Sequence, residues 1–361
     1  MKRTLTFLMT ACMLIALLSG CAGTVVVVNE CTCPSDHAPT PTTPTPTVGE
    51  ITDEGDLKTG LSVVTSVSDS TSATADAAGA VKFDVTLCAV TVDINGVIRS
   101  ASIDSVPATV NFDSTGTVTS DITAAVSTKN ELGENYGMVA WGGAVAEWDQ
   151  QVAALCNYAV GKTVEELKNG AIDETGKAPE GSDLASSATI YLGSYVQAIE
   201  HAVANAQFLG AQGGDVLHLV TMNSIKNTVS ATADAAGCAQ LDADIAVVTE
   251  RDGVITSCII DSVQAKINFD ATGAITTDLT APIATKNELV ENYGMVAWGG
   301  AIAEWNEQAA AFASYVTGKT AAEVAGIAVS ESTKPADGSD LAASCTIAIG
   351  GFQALIAKAM G

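Results

Sequence analysis

The alternation of apolar and polar residues predicts strands first and helices afterwards, and this order occurs twice along the chain. In the first occurrence, residues 85–92 alternate around β-branched side chains. The dipeptide Asn95-Gly96 favours a two-residue hairpin turn, and residues 97–106 fit the returning strand. The second occurrence carries the corresponding turn signal at Asp252-Gly253. An antiparallel hairpin is therefore expected in each part of the chain.

A second strand pair is predicted around a tight turn. Residues 108–112 and 117–123 flank the turn at 113–116, which ends in glycine. The acids between Asp113 and Asp121 also suggest a calcium loop, but the stretch lacks the ligand density of an EF-hand. A plain turn is the favoured interpretation.

Helical periodicity begins after Gly142-Gly143. Apolar residues then recur on one helical face, at Trp148, Val152, Leu155 and Ala159. Gly161 is expected to end this helix, and Thr163 with Glu166 forms a capping box for the next. Ser182 or Asp183 can cap a later segment, before a last helix with an apolar stripe. The predicted class is α+β: an antiparallel sheet with helices on one face.

The chain repeats itself at an offset of 157 residues. Residues 128–148 return as 285–305, and nineteen of these 21 positions are identical. We call these two stretches the repeated segment. Shorter matches on both sides predict two tandem copies of one domain, at 61–206 and 217–361, joined by Leu209–Gly214.

The N-terminus is typical of an exported lipoprotein. Lys2 and Arg3 precede an apolar run that ends at Leu18 and is too short to span a bilayer comfortably. The stretch 18–21, Leu-Ser-Gly-Cys, resembles the lipobox of bacterial lipoproteins. That resemblance implies a signal peptide at 1–20, a diacylglycerol on Cys21 and a lipid-anchored protein outside the cytoplasm. An ordinary secretory signal with an incidental cysteine is the alternative.

Residues 21–60 are expected to form a stalk. Proline and threonine alternate from Pro39 to Thr47, which favours an extended, semi-rigid polyproline II spacer. A spacer of this kind suits a protein that reaches through a cell wall.

Charge and cysteine usage exclude several classes of function. The formal net charge of −25 argues against nucleic acid and anionic lipid head groups as partners. The five cysteines beyond residue 60 have no cysteine at the equivalent position of the other copy, so a cluster common to both copies is excluded. They are interpreted as buried small apolar residues, with an occasional disulfide as the alternative.

Conventional catalytic motifs are missing from the sequence, so the chain is interpreted as a carrier or binding protein more than as an enzyme. The repeated segment has two interpretations. Its aromatic side chains can cap the sheet. Alternatively, Tyr136 and Trp141, with Tyr293 and Trp298, can stack on a planar ring, while the Gly-Gly turn leads into a phosphate-binding helix N-terminus and Lys129 adds positive charge.

Each copy resembles the FMN-binding domain of exported bacterial electron-transfer proteins. The resemblance rests on the Asn95–Ile98 and Asp252–Ile255 turns, the following Ile-Asp-Ser-Val strand, a Gly-Lys-Thr stretch at 161–163 and 318–320, and a small-residue turn before the last helix. In that family the turn reads Ser-Gly-Ala-Thr, and its threonine carries the flavin through a phosphoester. Residues 186–189 match three of the four positions, and residues 343–346 keep only the threonine.

The resemblance implies FMN as a cofactor near Ser187, held through Thr189 and Thr346, and electron transfer to a redox partner. A threonine hydroxyl that caps the last helix is the alternative for both positions. The rival function is a surface lipoprotein without catalysis, which binds a small ligand, a wall component or a partner protein.

Overall fold

The computed structural model describes residues 55–361. The signal peptide, Cys21 and the stalk up to residue 54 lie outside the described residues. The described residues belong to one compact unit. The strands are β1 (Asp56–Ser66), β2 (Gly79–Val92), β3 (Ile98–Phe112), β4 (Gln207–Gln212), β5 (Val216–Ser224), β6 (Gly237–Arg251) and β7 (Val254–Phe269).

Helices follow the strands in both parts of the chain. Residues 55–206, here the first half, contain α1 (Lys129–Leu132), α2 (Met138–Gly142), α3 (Trp148–Ala159), α4 (Val164–Ala171), α5 (Asp183–Ser187) and α6 (Gly193–Ala204). Residues 217–361, the second half, contain α7 (Lys286–Leu289), α8 (Met295–Gly299), α9 (Trp305–Val316), α10 (Ala321–Ala325) and α11 (Gly350–Met360). Short 3₁₀ turns lie at Gly133–Tyr136, Val290–Tyr293 and Leu341–Ala343.

The fold is mixed α/β with two antiparallel sheets. One sheet has four strands in the order β3-β2-β1-β4, and the other has three in the order β5-β6-β7. Side chains alternate between the two faces of a strand, so each long strand contributes to two apolar layers. In β2, for example, Leu87 belongs to one cluster and Cys88 to another. Both faces of each sheet are covered.

The layers run helices, sheet, sheet, helices. The central apolar cluster takes side chains from β2 and β3 and also from β6 and β7. The second cluster joins the outer face of the four-stranded sheet to α3–α6. The third joins the outer face of the three-stranded sheet to α9 and α11. The two halves therefore bury one core between them, in addition to one core each.

Contacts at the junction are reciprocal. Phe112 and Phe269, which occupy equivalent positions, stack with ring centroids 4.2 Å apart and planes 6° apart. The Ala73 N–H donates to the Gly273 carbonyl, and the Ala231 N–H donates to the Gly116 carbonyl, both at 2.8 Å. Each half thus contacts the other through the same positions, which is the pattern of an approximate two-fold arrangement.

Three strand predictions need correction. β3 continues through Pro107 to Phe112 as a single strand. Residues 117–123 form no strand; they meet β3 through an isolated bridge at Val118 and through the Ser120 hydroxyl, which accepts the Asn111 N–H at 2.8 Å. The predicted linker at 209–214 falls mostly within β4, which pairs with the start of β1. β1 begins at Asp56, so 56–60 belong to the sheet and not to the predicted stalk. In each case hydrogen bonding to residues distant in the sequence determined the secondary structure of a segment whose own apolar–polar pattern is weak.

The helix predictions of the first half are largely confirmed. All four residues of the predicted face of α3 are buried, from Trp148 to Ala159. Thr163 and Glu166 form the expected capping box at α4, and the Ser182 hydroxyl caps α5. The plain turn at 113–116 is also observed, because the Asp113 carboxylate accepts the Thr115 N–H at 2.8 Å and the Thr117 N–H at 3.0 Å.

Candidate functional site

The repeated segment begins with a helix that is clamped to the sheet. Thr128 caps α1 in a reciprocal box with Glu131. The Asn130 side-chain amide donates to the Ile103 carbonyl at 2.9 Å, and its main-chain N–H donates to the buried Asp104 carboxylate at 3.2 Å. The second half repeats these contacts with Asn287, Ile260 and Asp261. The Ile-Asp-Ser-Val strand therefore fixes the position of the segment.

The two clamping carboxyl groups lie in a poorly solvated place. Burial raises the pKa of Asp104 above its ordinary value and raises that of Asp261 to about 6. Hydrogen bonds from the Ser262 N–H and the Thr285 side chain act in the opposite direction but do not cancel the effect. Each aspartate therefore fixes a helix to the sheet, although burial partly desolvates its carboxyl group.

Lys129 is buried, and its ammonium contacts two aromatic rings. Its ammonium lies 5.5 Å from the ring centre of Tyr136 and 5.0 Å from that of Trp148, with the Asp84 carboxylate at 3.6 Å. The second half repeats the arrangement with Lys286, whose ammonium lies 5.3 Å from Tyr293 and 5.0 Å from Trp305. The predicted role of Lys129 as local positive charge for phosphate is not supported, because cation–π contacts inside the fold engage it.

The helix that follows the Gly142-Gly143 turn is α3, and its predicted phosphate-binding start carries the buried Glu147 as N-cap residue. The same carboxylate also engages the start of the preceding helix. Gly142 ends α2, and the first N–H groups of this helix, at Met138 and Val139, donate to the buried Glu147 carboxylate at 2.8 and 3.0 Å. Glu304 makes the same pair of contacts in the second half. A carboxylate of the protein thus takes the place proposed for an anion.

Trp141 and Trp298 are presented to solvent. Their side chains are 87% and 84% exposed, and each ring lies over a glycine, Gly137 or Gly294. We call each exposed tryptophan, together with the glycine beneath its ring, a tryptophan platform. A methyl group on Gly137 would come within 3.1 Å of the Trp141 ring, and the glycine has φ of 82°, so a larger residue would displace the ring. Exposed valine or isoleucine residues lie in the same segments, at Val139, Val145, Val296 and Ile302.

Tyr136 and Tyr293 do not share this exposure. Both are half-buried and pack against the apolar cluster of their own half. Of the four aromatic residues predicted to stack on a ligand, the two tryptophans are exposed and the two tyrosines are half-buried. The tyrosines therefore agree with the packing interpretation, whereas stacking on a ligand stays a prediction for the two tryptophans.

Thr189 and Thr346 approach the repeated segment through a buried glutamine. The Gln151 side-chain oxygen accepts the Thr189 N–H at 2.8 Å, and its amide donates to the Ala146 carbonyl at 2.8 Å. Gln308 links Thr346 and Ala303 in the same way. The loop that carries Thr189 is thus tied to the loop that follows Trp141.

The hydroxyl groups of this turn have other partners than those expected. Thr189 does not cap α6, which begins at Gly193 without a side-chain cap, so the capping alternative was wrong. Its hydroxyl faces Gln151 at 3.4 Å, and the corresponding distance for Thr346 is 3.1 Å. Ser187 is exposed and ends α5.

Sequence reasoning missed Gln151 and Glu147, together with their counterparts Gln308 and Glu304. All four are buried polar residues whose partners lie on other segments. Glu147 lies inside the repeated segment, so its repetition was a usable signal. Gln151 is repeated only three residues beyond it. A buried glutamine without an assigned partner could have been flagged on polarity alone.

The cysteines beyond residue 60 are unpaired. Cys88, Cys156, Cys258 and Cys345 are buried and Cys238 is half-buried. Burial raises the pKa of Cys156 and Cys258 to about 12. Every one of the five has alanine at the equivalent position of the other half, namely Ala246, Ala313, Ala80, Ala101 and Ala188. This pattern agrees with small apolar packing residues, and not with disulfides.

Comparisons with protein-family models, with curated proteins and with solved structures find no match to this chain. Within residues 55–361, no helix is both long and apolar enough to cross a membrane. The same residues contain no group of three or more His, Cys, Asp or Glu side chains placed to hold a metal ion. The assignment of function therefore depends on the geometry of this chain alone.

Proposed function

We propose that this chain is an extracytoplasmic lipoprotein whose function is binding, and that Trp141 and Trp298 each hold a sugar ring of a wall polysaccharide. The observation that carries the proposal is the pair of highly exposed tryptophans at equivalent positions of the most similar segment in the chain. A large apolar ring held in water is unfavourable for folding, so its repetition favours a binding role.

The geometry favours a flat ligand. Each indole ring rests on a glycine with one face and leaves the other face free. The apolar face of a sugar ring suits such a platform. Glu134 and Asn135, which are exposed and lie a few residues before Trp141 in the chain, can accept or donate hydrogen bonds to hydroxyl groups. A neutral polysaccharide is favoured over an anionic one because the chain carries a net charge of −25.

Two platforms on one chain also suit a polymer. A repeating ligand can occupy both sites, and the second contact is then intramolecular, which raises the overall affinity. The proposed lipid on Cys21 and the Pro/Thr stalk support the same role, because they would hold the binding surfaces at the distance of the wall from the membrane.

The test is cosedimentation of the mature chain with insoluble wall polysaccharide from which proteins have been removed. Trp141→Ala and Trp298→Ala should each weaken binding about tenfold, and the double variant should abolish it. Tyr191→Ala is the matched control, since Tyr191 is an exposed aromatic residue with alanine as its counterpart. Unchanged binding by the double variant would refute the platform. Binding to a host protein but to no polysaccharide would indicate a protein partner instead.

Attachment through Cys21 has its own test. Cells fed a labelled fatty acid should incorporate the label into the wild-type chain and not into Cys21→Ser, which should also leave the membrane fraction. Label in the serine variant would contradict the assignment.

A second candidate is the FMN-binding electron-transfer module. The observation that favours it is the Gln151 bridge, which ties the loop of Thr189 to the Ala146 carbonyl in the loop after Trp141. Thr189 is the residue that would carry the flavin, and Trp141 is a residue that could stack on it. Chain purified from its native host should then be yellow, and Thr189→Ala with Thr346→Ala should remove the colour. A colourless wild-type chain that does not rebind FMN would end this candidate.

We further propose that residues 61–206 and 217–361 are two copies of one domain. The support is the shared order of three strands followed by helices, the repeated clamps and caps, and the reciprocal contacts at Phe112 and Phe269. Neither copy is expected to be fully stable without the other, because they bury the central cluster together.

A further inference from the structure

The two halves meet along two equivalent clefts, of which one is filled by a lysine and the other is open. The filled cleft contains Lys358 of α11. Its ammonium donates to the Glu131 carboxylate of the first half and, at 2.6 Å, to the Thr221 carbonyl of β5. The alkyl chain of Lys358 thus crosses the junction, and its charged end is held by one carboxylate and one main-chain oxygen.

The open cleft has the same acceptors without the lysine. The counterpart of Glu131 is Glu288, and the counterpart of Lys358 is His201 of α6. Val63 corresponds to Thr221, because Val63 pairs with Leu87 where Thr221 pairs with the equivalent Ile245. Glu288, His201 and Val63 all line a cleft of about 430 Å³.

The Glu288 carboxylate is oriented by the same main-chain hydrogen bond as the Glu131 carboxylate. One oxygen of each carboxylate accepts the N–H of the capping threonine, Thr285 or Thr128, at 2.8 or 2.9 Å. The other oxygen of Glu131 receives Lys358. Among residues 55–361, Glu288 takes part in no ion pair.

The remaining walls of the open cleft suit an alkyl chain. Val64, Ile283 and Pro282 supply apolar surface, and the cleft is large enough for a small molecule or a single side chain. Thr65 also lines it, and the Thr65 hydroxyl oxygen is shielded from water without a hydrogen-bond partner. On the filled side, the counterpart of Thr65 is Asn223, whose amide donates to the Val126 carbonyl at 3.2 Å.

We infer that the open cleft binds an unbranched alkylammonium group, such as the side chain of a lysine. The group would lie as Lys358 lies in the filled cleft, with its chain along Val64 and Ile283 and its ammonium on Glu288 and the Val63 carbonyl. The site is separate from the tryptophan platforms and does not depend on the polysaccharide proposal.

Isothermal titration of the mature chain with n-butylammonium chloride tests the inference, with n-butanol as the uncharged control ligand. The wild-type chain should bind one equivalent of the amine and none of the alcohol. Glu288→Gln should weaken binding at least about tenfold, because it removes a charge-assisted hydrogen bond. Glu131→Gln is the matched control and should leave the affinity unchanged.

Two further variants exchange the roles of the clefts. His201→Lys should fill the open cleft from within and abolish binding. Lys358→Ala should empty the filled one and raise the stoichiometry from one to two. The His201→Lys arm stands by itself if Lys358→Ala fails to fold, as judged by circular dichroism.

The source of the group is distinguished by a second ligand. N-acetyl-lysine methylamide should bind more tightly than n-butylammonium if the natural ligand is a lysine of a peptide, and more weakly if it is a free amine. The inference is overturned if the wild-type chain shows no saturable amine binding, or if Glu288→Gln binds as well as the wild type.

Discussion

The outer helical layers and the repeated segment have diverged to very different extents. In the helical layers, equivalent positions of the two halves often carry different residues. Examples are Cys156 and Ala313, Tyr195 and Phe352, and His201 and Lys358. Within the repeated segment only Gly133 and Val145 differ from their counterparts. Buried positions elsewhere tolerate exchange among apolar residues of similar size.

This contrast indicates that packing is not the reason why the repeated segment is so similar in the two halves. Packing alone would allow drift in the repeated segment too, at least at its solvent-exposed positions. Trp141 and Trp298 are the most exposed large apolar residues described, and yet they are retained in both halves. Exposure with retention therefore favours ligand binding over stability as the reason for these two residues.

The largest effect is expected where the halves join. Phe112→Ala should lower the free energy of unfolding by about 3–5 kcal/mol, because it leaves a cavity in the central cluster and removes the stack on Phe269. Urea unfolding followed by circular dichroism measures the change. Phe269→Ala should behave alike, and the double variant should lose less than the sum. A loss below about 1 kcal/mol would mean that the central cluster contributes little.

The clamps beneath the repeated segment should show in the pH dependence of stability. Burial raises the pKa of Asp261 from 3.8 in the unfolded chain to about 6 in the folded one. The folded state therefore holds the proton more tightly, and its stability falls as the pH rises from about 4 to 6. Above about pH 6, this shift lowers the free energy of unfolding by about 3 kcal/mol relative to its value below pH 4.

Asp261→Asn should remove this contribution, since the amide oxygen can still accept the Ser262 and Asn287 N–H groups. Unfolding free energies of variant and wild type, compared at pH 4 and pH 7, should then diverge at the higher pH. An equal pH dependence in both proteins would contradict the assignment.

Glycine in the first half is replaced by valine in the second half at one position of the repeated segment, Gly133 and Val290. This difference predicts backbone strain at Val290. Gly133 has φ of 47°, and its counterpart Val290 has φ of 43°, a region that β-branched residues avoid. Val290→Gly should raise the free energy of unfolding by about 1–2 kcal/mol, and Gly133→Val should lower it by a similar amount. A methyl group at Gly133 would meet no atom within 4 Å, so a clash of the Cβ atom does not contribute to the expected strain. Two changes of the same sign would refute the interpretation.

The smallest effect concerns a hydrogen bond that only the first half contains. The Trp148 indole donates to the Tyr195 hydroxyl at 2.9 Å, whereas Trp305 packs edge-on against Phe352. Tyr195→Phe should lower the free energy of unfolding by about 1 kcal/mol. Phe352→Tyr, the reciprocal change, should be neutral or slightly stabilising. Equal losses in both variants would show that ring packing, and not the hydrogen bond, sets the difference.

Local signals in the sequence were sufficient for elements that are stabilised locally. The two-residue turn at Asp252-Gly253, the buried face of α3 and the capping box at Thr163 each depend on residues within about one helical turn or one hairpin. The hairpin of the first half also forms, but its loop runs from Asp93 to Val97, so the two-residue turn predicted at Asn95-Gly96 was wrong. These predictions are confirmed because periodicity and capping act over the same short range as the contacts that produce them.

Segments governed by distant partners were not predictable in this way. β4 reads as a glycine-containing linker and becomes a strand only because β1 offers a free edge. Lys129 reads as a surface charge, and its burial follows from two aromatic rings that no spacing rule places around it. The cleft between the halves depends on their packing, and the repeat alone does not specify that packing.

The sandwich of two sheets has a consequence if the chain is exported, as proposed. A chain that crosses a membrane from its N-terminus delivers residues 55–206 before residues 217–361. Until the second part arrives, the inner face of the first sheet, with Phe83, Leu87 and Val110 among its side chains, has nothing to cover it. We therefore expect a secretion intermediate that is prone to aggregate or to attract a periplasmic or surface chaperone, and whose maturation time is set by the synthesis of its C-terminal part.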